Sequence, residues 1–109
     1  MTITQKCQLI LFRPEGRIDL EGGKSLSEKI ALVEAQSEQL WILDLAKVDF
    51  MDSAGLVFLV NGLKSARNRN CRLVLCNVPT PVRLVLELTQ LDSVFEVFSS
   101  YEDIISTVS

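Results

Sequence analysis

The segment that most restricts the fold of this chain is residues 40–45 (LWILDL), in which only the aspartate is polar. A run this short, and apolar on both faces, is typical of a strand that is covered on both sides of a sheet. After it, helical and strand patterns alternate: helices at 52–68, 80–89 and 100–107, with strands at 72–76 and 94–98. This order predicts a largely parallel sheet with crossover helices, which is an α/β fold.

The residues before this segment add two strands and a helix. Residues 3–12 alternate in part and predict a half-buried strand near a sheet edge, and residues 17–19 predict a short second strand after a turn. Gly22 and Gly23 lead into a helix that reaches about residue 37. Because 109 residues contain no linker or repeat, we expect one domain, residues 1–109, with a mostly parallel four- to five-stranded sheet and about four helices.

The residue types that are absent exclude several kinds of active site. The chain has no histidine, which removes Ser-His-Asp and Cys-His catalysis and histidine-ligated metals. Its cysteines, Cys7, Cys71 and Cys76, are odd in number and lack CxxC spacing, so we expect small buried hydrophobic side chains in a reducing compartment. Neither of the two Gly-rich phosphate-binding motifs, GxxxxGK[ST] and GxGxxG, is present. The sequence therefore predicts no catalytic residue, no metal and no cofactor.

Charge and hydropathy bear on partners and location. Eleven Lys and Arg stand against 14 Asp and Glu, a net charge of -3, which disfavours nucleic acid as a partner. No apolar run approaches the roughly 20 residues of a membrane helix, and residues 1–6 do not resemble the start of a signal peptide. We expect a cytoplasmic protein with no membrane insertion.

One stretch, DFMDSAGL at residues 49–56, suggests a functional site where the central strand leads into the next helix. Asp52 or Ser53 stands where an N-cap belongs, so one interpretation is a capping pair and nothing more. The other interpretation is a modifiable hydroxyl, because amides and the helix dipole at such an N-terminus favour an added phosphate. A hydrolase using Ser53 is disfavoured, since Met51 replaces the first glycine of GxSxG and no base is present.

The faces of the helix at 52–68 differ in character. At 100° per residue, four apolar side chains cluster toward the sheet: Leu56, Leu59, Val60 and Leu63. Phe58 falls nearly opposite, beside Val57 and Asn61, and either forms a protein-contact patch or is covered by a neighbouring helix. A stripe of Gly55, Gly62 and Ala66 permits close approach of another backbone, either internal or from a partner.

Three segments together carry a family resemblance that spans essentially the whole chain. DFMDSAGL after a strand ending in Asp44-Leu45, GRID at 16–19 and VLELTQLDSVF at 85–95 resemble STAS domains of the anti-sigma-factor antagonist family. The resemblance implies Ser53 as a phosphorylation site flanked by Asp52 and Gly55. A second serine often follows in the family, and Ala54 stands there instead; Gln90 stands where a glycine is common.

The resemblance also implies a function without catalysis. The unphosphorylated protein would bind a serine-kinase anti-sigma factor, phosphorylation of Ser53 would end binding, and a serine phosphatase is a further expected partner. From the faces of the helix, we expect the partner to contact Val57, Phe58 and Asn61. An alternative is a STAS module in a stress-signalling assembly or a transporter-associated complex that does not act on a sigma factor. A phosphate-relay receiver domain is disfavoured, because residues 12–14 and 98–100 supply neither its acidic pair nor its lysine.

Overall fold

A computed structural model describes residues 8–33 and 39–108 of the chain. The elements are β1 (Leu9–Phe12), β2 (Gly16–Ile18), α1 (Leu20–Ala31), β3 (Leu40–Asp44), β4 (Val48–Met51), α2 (Ser53–Asn68), β5 (Arg72–Cys76), α3 (Thr80–Leu88), β6 (Glu96–Phe98) and α4 (Tyr101–Val108). The predicted α/β class, the four helices and the mostly parallel sheet are confirmed.

The main sheet has four parallel strands in the order β1-β3-β5-β6. All five residues of β3 are buried, which confirms the strand predicted from the apolar run. Successive β3 side chains serve opposite faces of the sheet. Trp41 and Leu43 belong to the core beneath α1, α2 and α3, whereas Leu40 and Ile42 pack with Ile104 of α4. The sheet is therefore covered on both sides, as this sequence pattern predicts.

A second, two-stranded parallel sheet of β2 and β4 lies beside the main one. The sequence did not predict β4, so the expectation that α2 directly follows the central strand was wrong. Val48 and Met51 are buried while Asp49 and Phe50 between them are exposed, a pattern without strict alternation. Since period-two alternation is the signal that identifies a half-buried strand, the sequence pattern of this segment predicts no strand.

Several elements differ from their predicted bounds: β6, for example, begins at Glu96 and not at residue 94. Helix α1 begins at Leu20, two residues before the glycines expected to precede it, because Asp19 caps it: the Gly22 N–H donates to Asp19 Oδ1 at 3.0 Å. It ends at Ala31, and residues 34–37 of its predicted extension lie outside the described residues. The start of the predicted first strand, residues 3–7, lies outside them as well.

Cys71 and Cys76 are buried, as predicted, whereas Cys7 lies outside the described residues. Burial, together with the nearby carboxylates of Asp44 and Glu102, raises the pKa of the Cys76 thiol from its ordinary 9.0 to about 11. Within residues 8–33 and 39–108, no cluster of side chains suits a metal ion. Over the same ranges, every helix is too short or too polar to cross a bilayer.

Candidate functional site

Ser53 is the first residue of α2, and its side chain is exposed to solvent. Asp52, not Ser53, is the N-cap: its backbone is extended, and the Gly55 N–H donates to Asp52 Oδ1 at 2.9 Å. No group among the described residues hydrogen-bonds to the Ser53 hydroxyl. Because Asp52 alone supplies the capping oxygen, the Ser53 hydroxyl is left accessible on the first turn of the helix.

The start of α1 repeats the arrangement at the start of α2. Asp19 Oδ1 caps α1 as Asp52 Oδ1 caps α2, each accepting from a glycine amide three residues on. The Gly22 N–H bond is the main reason that the pKa of Asp19 is lowered. Since β2 and β4 run parallel with Ile18 paired to Met51, both helices begin at the same edge of the small sheet. Ser53 therefore lies at an edge formed by two helix N-termini.

Gly55 is required by a close backbone contact. A Cβ at this position would lie 1.7 Å from the carbonyl oxygen of Ile18, closer than two atoms can approach. The first turn of α2 is thus pressed against the end of β2, which fixes Ser53 relative to the small sheet. At Gly62, a Cβ would lie 3.4 Å from Ile30 Cδ1 and 3.8 Å from Leu73 Cδ1, and Ala66 is fully buried. The small-residue stripe is therefore explained by internal packing.

The outer face of α2 is only partly open. Val57 is 56% exposed, and Asn61 is exposed as well. Phe58 is half-buried, with its ring against α1: a Cβ at Gly23 would lie 2.3 Å from Phe58 Cδ2. Of the two interpretations left open for Phe58, the one in which a neighbouring helix covers it agrees with this contact, because α1 covers part of the ring. On the opposite face, Leu56, Leu59 and Leu63 are buried, as predicted, and Val60 is half-buried against the same core.

An exposed cation–aromatic pair at the same edge was missed by sequence reasoning. Arg17 and Phe50 are partners across β2 and β4, and Arg17 Cζ lies 4.3 Å from the centroid of the Phe50 ring. Arg17 Nε also lies 3.4 Å from Asp19 Oδ2. Phe50 is 37% exposed, three residues before Ser53. Only the pairing of β2 with β4, which the sequence did not reveal, brings these side chains together.

Asp44, the polar residue of the central strand, is buried at the carboxyl end of β3. Its Oδ1 accepts from the Ala46 N–H and from Asn77 Nδ2, both at 3.1 Å, and its Oδ2 lies 3.4 Å from Arg13 Nε. These contacts close the turn after β3 and tie it to the segments that follow β1 and β5. These contacts explain why an acidic side chain is buried at the end of β3.

Comparison with known proteins agrees with this architecture. The family model described as the STAS domain matches residues 1–104. A Bordetella bronchiseptica protein, BtrV, named as a candidate anti-sigma factor antagonist, is 31% identical over 88 residues, which is 81% of this chain and 76% of that protein.

Two solved structures share the fold. The unphosphorylated anti-sigma factor antagonist SpoIIAA matches with a TM-score of 0.73 at 20% identity, over 94% of this chain and 90% of that one. A sulfate transporter family protein from Wolinella succinogenes matches with a TM-score of 0.79 at 17% identity, over 90% of this chain and 82% of that one. At such identities the likeness concerns the fold alone.

Proposed function

This chain belongs to the STAS domain family, and from that premise we propose that it is an anti-sigma factor antagonist, a binding protein that phosphorylation of Ser53 switches off. The observation that carries the proposal is the exposed Ser53 hydroxyl on the first turn of α2, which no described side chain engages. An incoming kinase needs an accessible acceptor, and this serine supplies one. The name of the 31% identical relative supports the same function.

The fold tolerates a phosphate at this position. A phosphoserine carries about -1.5 to -2 charges at neutral pH. The dipole of α2 favours negative charge at its N-terminus by about 0.3–1 kcal/mol, which offsets part of the repulsion from Asp52. Because Ser53 is exposed, the phosphate stays in water and displaces no core side chain. Modification is therefore expected to leave the structure intact.

The same phosphate opposes docking of the partner. A partner that covers Ser53 must remove water from a dianion beside the Asp52 carboxylate, which costs several kcal/mol unless a cation pairs with it. The docking surface extends along α2 to Val57 and Asn61, which are exposed one to two turns after Ser53. The solvent-exposed part of the Phe58 side chain adds to this surface. Binding is thus lost through charge and hydration at one edge, without unfolding.

The partner in this proposal is a serine-kinase anti-sigma factor, and a serine phosphatase reverses the modification. The test incubates the protein with such a kinase and ATP, followed by intact-mass analysis and mapping of the modified residue. One phosphate on Ser53, absent from Ser53→Ala and present in an exposed-serine control, Ser99→Ala, supports the proposal. Phosphate on another residue, or none, contradicts it. Recovery from native cells with a transporter in place of a kinase would favour the alternative of a transporter-associated module.

A further inference from the structure

A cavity of about 320 Å³ opens at the carboxyl end of β1, between the segment that joins β1 to β2 and one face of α1. We propose that this cavity binds a small anion that carries carboxylate or phosphate groups. Three cationic side chains line it: Arg13, Arg17 and Lys29. Ser53 does not line this cavity, and the proposal does not depend on the function proposed for that serine.

The floor and one wall of the cavity are fixed by the fold. Phe12 and Leu26, both buried, form an apolar floor. Gly22, Ser25 and Lys29 follow one another at three- and four-residue spacing on the same face of α1, so their side of the helix faces the cavity. The Ser25 hydroxyl adds a hydrogen-bond donor to this wall. An apolar floor with a few converging polar groups is the usual form of a small-molecule site.

The cations at the rim retain capacity for a ligand. Arg13 reaches Asp44, and Arg17 reaches Asp19, each through Nε at a long 3.4 Å. The terminal guanidinium nitrogens of both arginines form no hydrogen bond among the described residues, and the Lys29 ammonium forms neither a hydrogen bond nor an ion pair there, while the Arg17 guanidinium also lies over the Phe50 ring. Guanidinium forks match the oxygens of carboxylate and phosphate groups, which makes an anion the fitting occupant.

Three carboxylates accompany the three cations: Glu15 lines the cavity, and Asp19 and Asp44 pair with Arg17 and Arg13 from outside the lining. Glu15 is the acidic residue among its lining side chains. Glu21 and Glu28 of α1 do not line the cavity, although their spacing of four and three residues from Ser25 makes them its neighbours on the helix surface. The protein as a whole carries a net charge of -3, whereas in the lining of this cavity three cations stand against one carboxylate. A volume of about 320 Å³ suits a small ligand rather than a macromolecular segment.

The experiment titrates the isolated full chain with inorganic phosphate and, separately, with succinate, at constant ionic strength maintained with sodium chloride. Backbone amide chemical shifts are followed by NMR. We expect saturable shifts at Gly22 and Ser25, and an affinity weakened about tenfold or more in Lys29→Gln, since one direct ionic contact is removed. The matched control is Lys64→Gln, which removes an exposed cation of α2 outside the cavity lining. Arg13→Gln provides a second variant.

Saturation by phosphate alone, by succinate alone or by both supports the site and identifies the group it prefers. Absence of saturable shifts with either anion would overturn the proposal, as would equal weakening by Lys29→Gln and Lys64→Gln. Because no kinase or partner is present in this titration, its outcome is independent of whether Ser53 is phosphorylated.

Discussion

The α-carbon of Gly55 lies so close to the carbonyl oxygen of Ile18 that a side chain could not be placed between them, since a Cβ would stand 1.7 Å from that oxygen. This contact joins the end of β2 to the first turn of α2. It sets the distance between the small sheet and the serine that we propose as the phosphorylation site. The geometry of that site therefore depends on a residue without a side chain.

The first prediction concerns this contact. Gly55→Ala forces α2 away from β2, and overpacking of this kind costs about 1–3 kcal/mol of unfolding free energy. Gly62→Ala is the matched control: its new methyl group would meet Ile30 Cδ1 at 3.4 Å, within reach of a small adjustment. Alanine also gains about 1 kcal/mol over glycine within a helix. Urea denaturation of both variants checks this, and equal losses would contradict the structural role assigned to Gly55.

The second prediction separates the capping function of Asp52 from its charge. Asp52→Ala removes the oxygen that accepts the Gly55 N–H, and loss of such a cap costs about 0.5–2 kcal/mol. Asp52→Asn keeps an acceptor oxygen and should retain most of the stability. Thermal or urea unfolding distinguishes the two variants. If Asp52→Asn were as unstable as Asp52→Ala, the hydrogen bond would not be the source of the effect.

The third prediction separates packing from binding on α2. Phe58→Ala removes a ring that rests on Gly23 and should cost about 1–3 kcal/mol of stability, less than a fully buried phenylalanine. Val57→Ala, at a side chain that is 56% exposed, should change stability by less than about 0.5 kcal/mol. On the proposed docking surface, Val57→Ala nevertheless weakens binding to the kinase partner. A stable Val57→Ala variant with unaltered affinity would remove Val57 from that surface.

The fourth prediction concerns alkaline pH. The pKa of the Cys76 thiol is about 11 in the folded protein, against an ordinary value of 9.0 for a thiol exposed in the unfolded chain. The folded protein therefore holds this proton more tightly. The stability that the protonated Cys76 thiol contributes is fully present below pH 9 and is lost as the pH rises toward 11. Urea unfolding of the natural protein and of Cys76→Ala between pH 8 and 11 measures it. The difference in unfolding free energy between the natural protein and Cys76→Ala should shrink over that range. A constant difference would argue against a raised pKa of the Cys76 thiol.

Much of the fold followed from the sequence because its strongest signals are local. The apolar run at 40–45 could hardly be stable except between two covered faces, and β3 is buried throughout. The buried face of α2 was likewise identified locally, from the three- and four-residue spacing of Leu56, Leu59 and Leu63. The position of Ser53 at a helix start also followed from local cap chemistry.

What the sequence did not reveal depends on pairing between distant segments. Strand β4 is short and its burial pattern does not alternate, so it forms only because β2 lies beside it. Phe58 is covered because its ring packs against Gly23 of another helix. The cavity lined by Arg13, Arg17 and Lys29 forms where the segment after β1 approaches α1. The repeated Asp-x-x-Gly at residues 19–22 and 52–55 was the available signal for two matching helix starts.

The most direct test of the central claim is a binding titration of the kinase partner against the unmodified protein and against the protein phosphorylated on Ser53, with the thermal midpoint of each form measured in parallel. Loss of several kcal/mol of binding corresponds to an affinity weakened at least about a hundredfold, with little change in midpoint. Equal affinity of the two folded forms would contradict the switch, and so would loss of binding that is accompanied by unfolding.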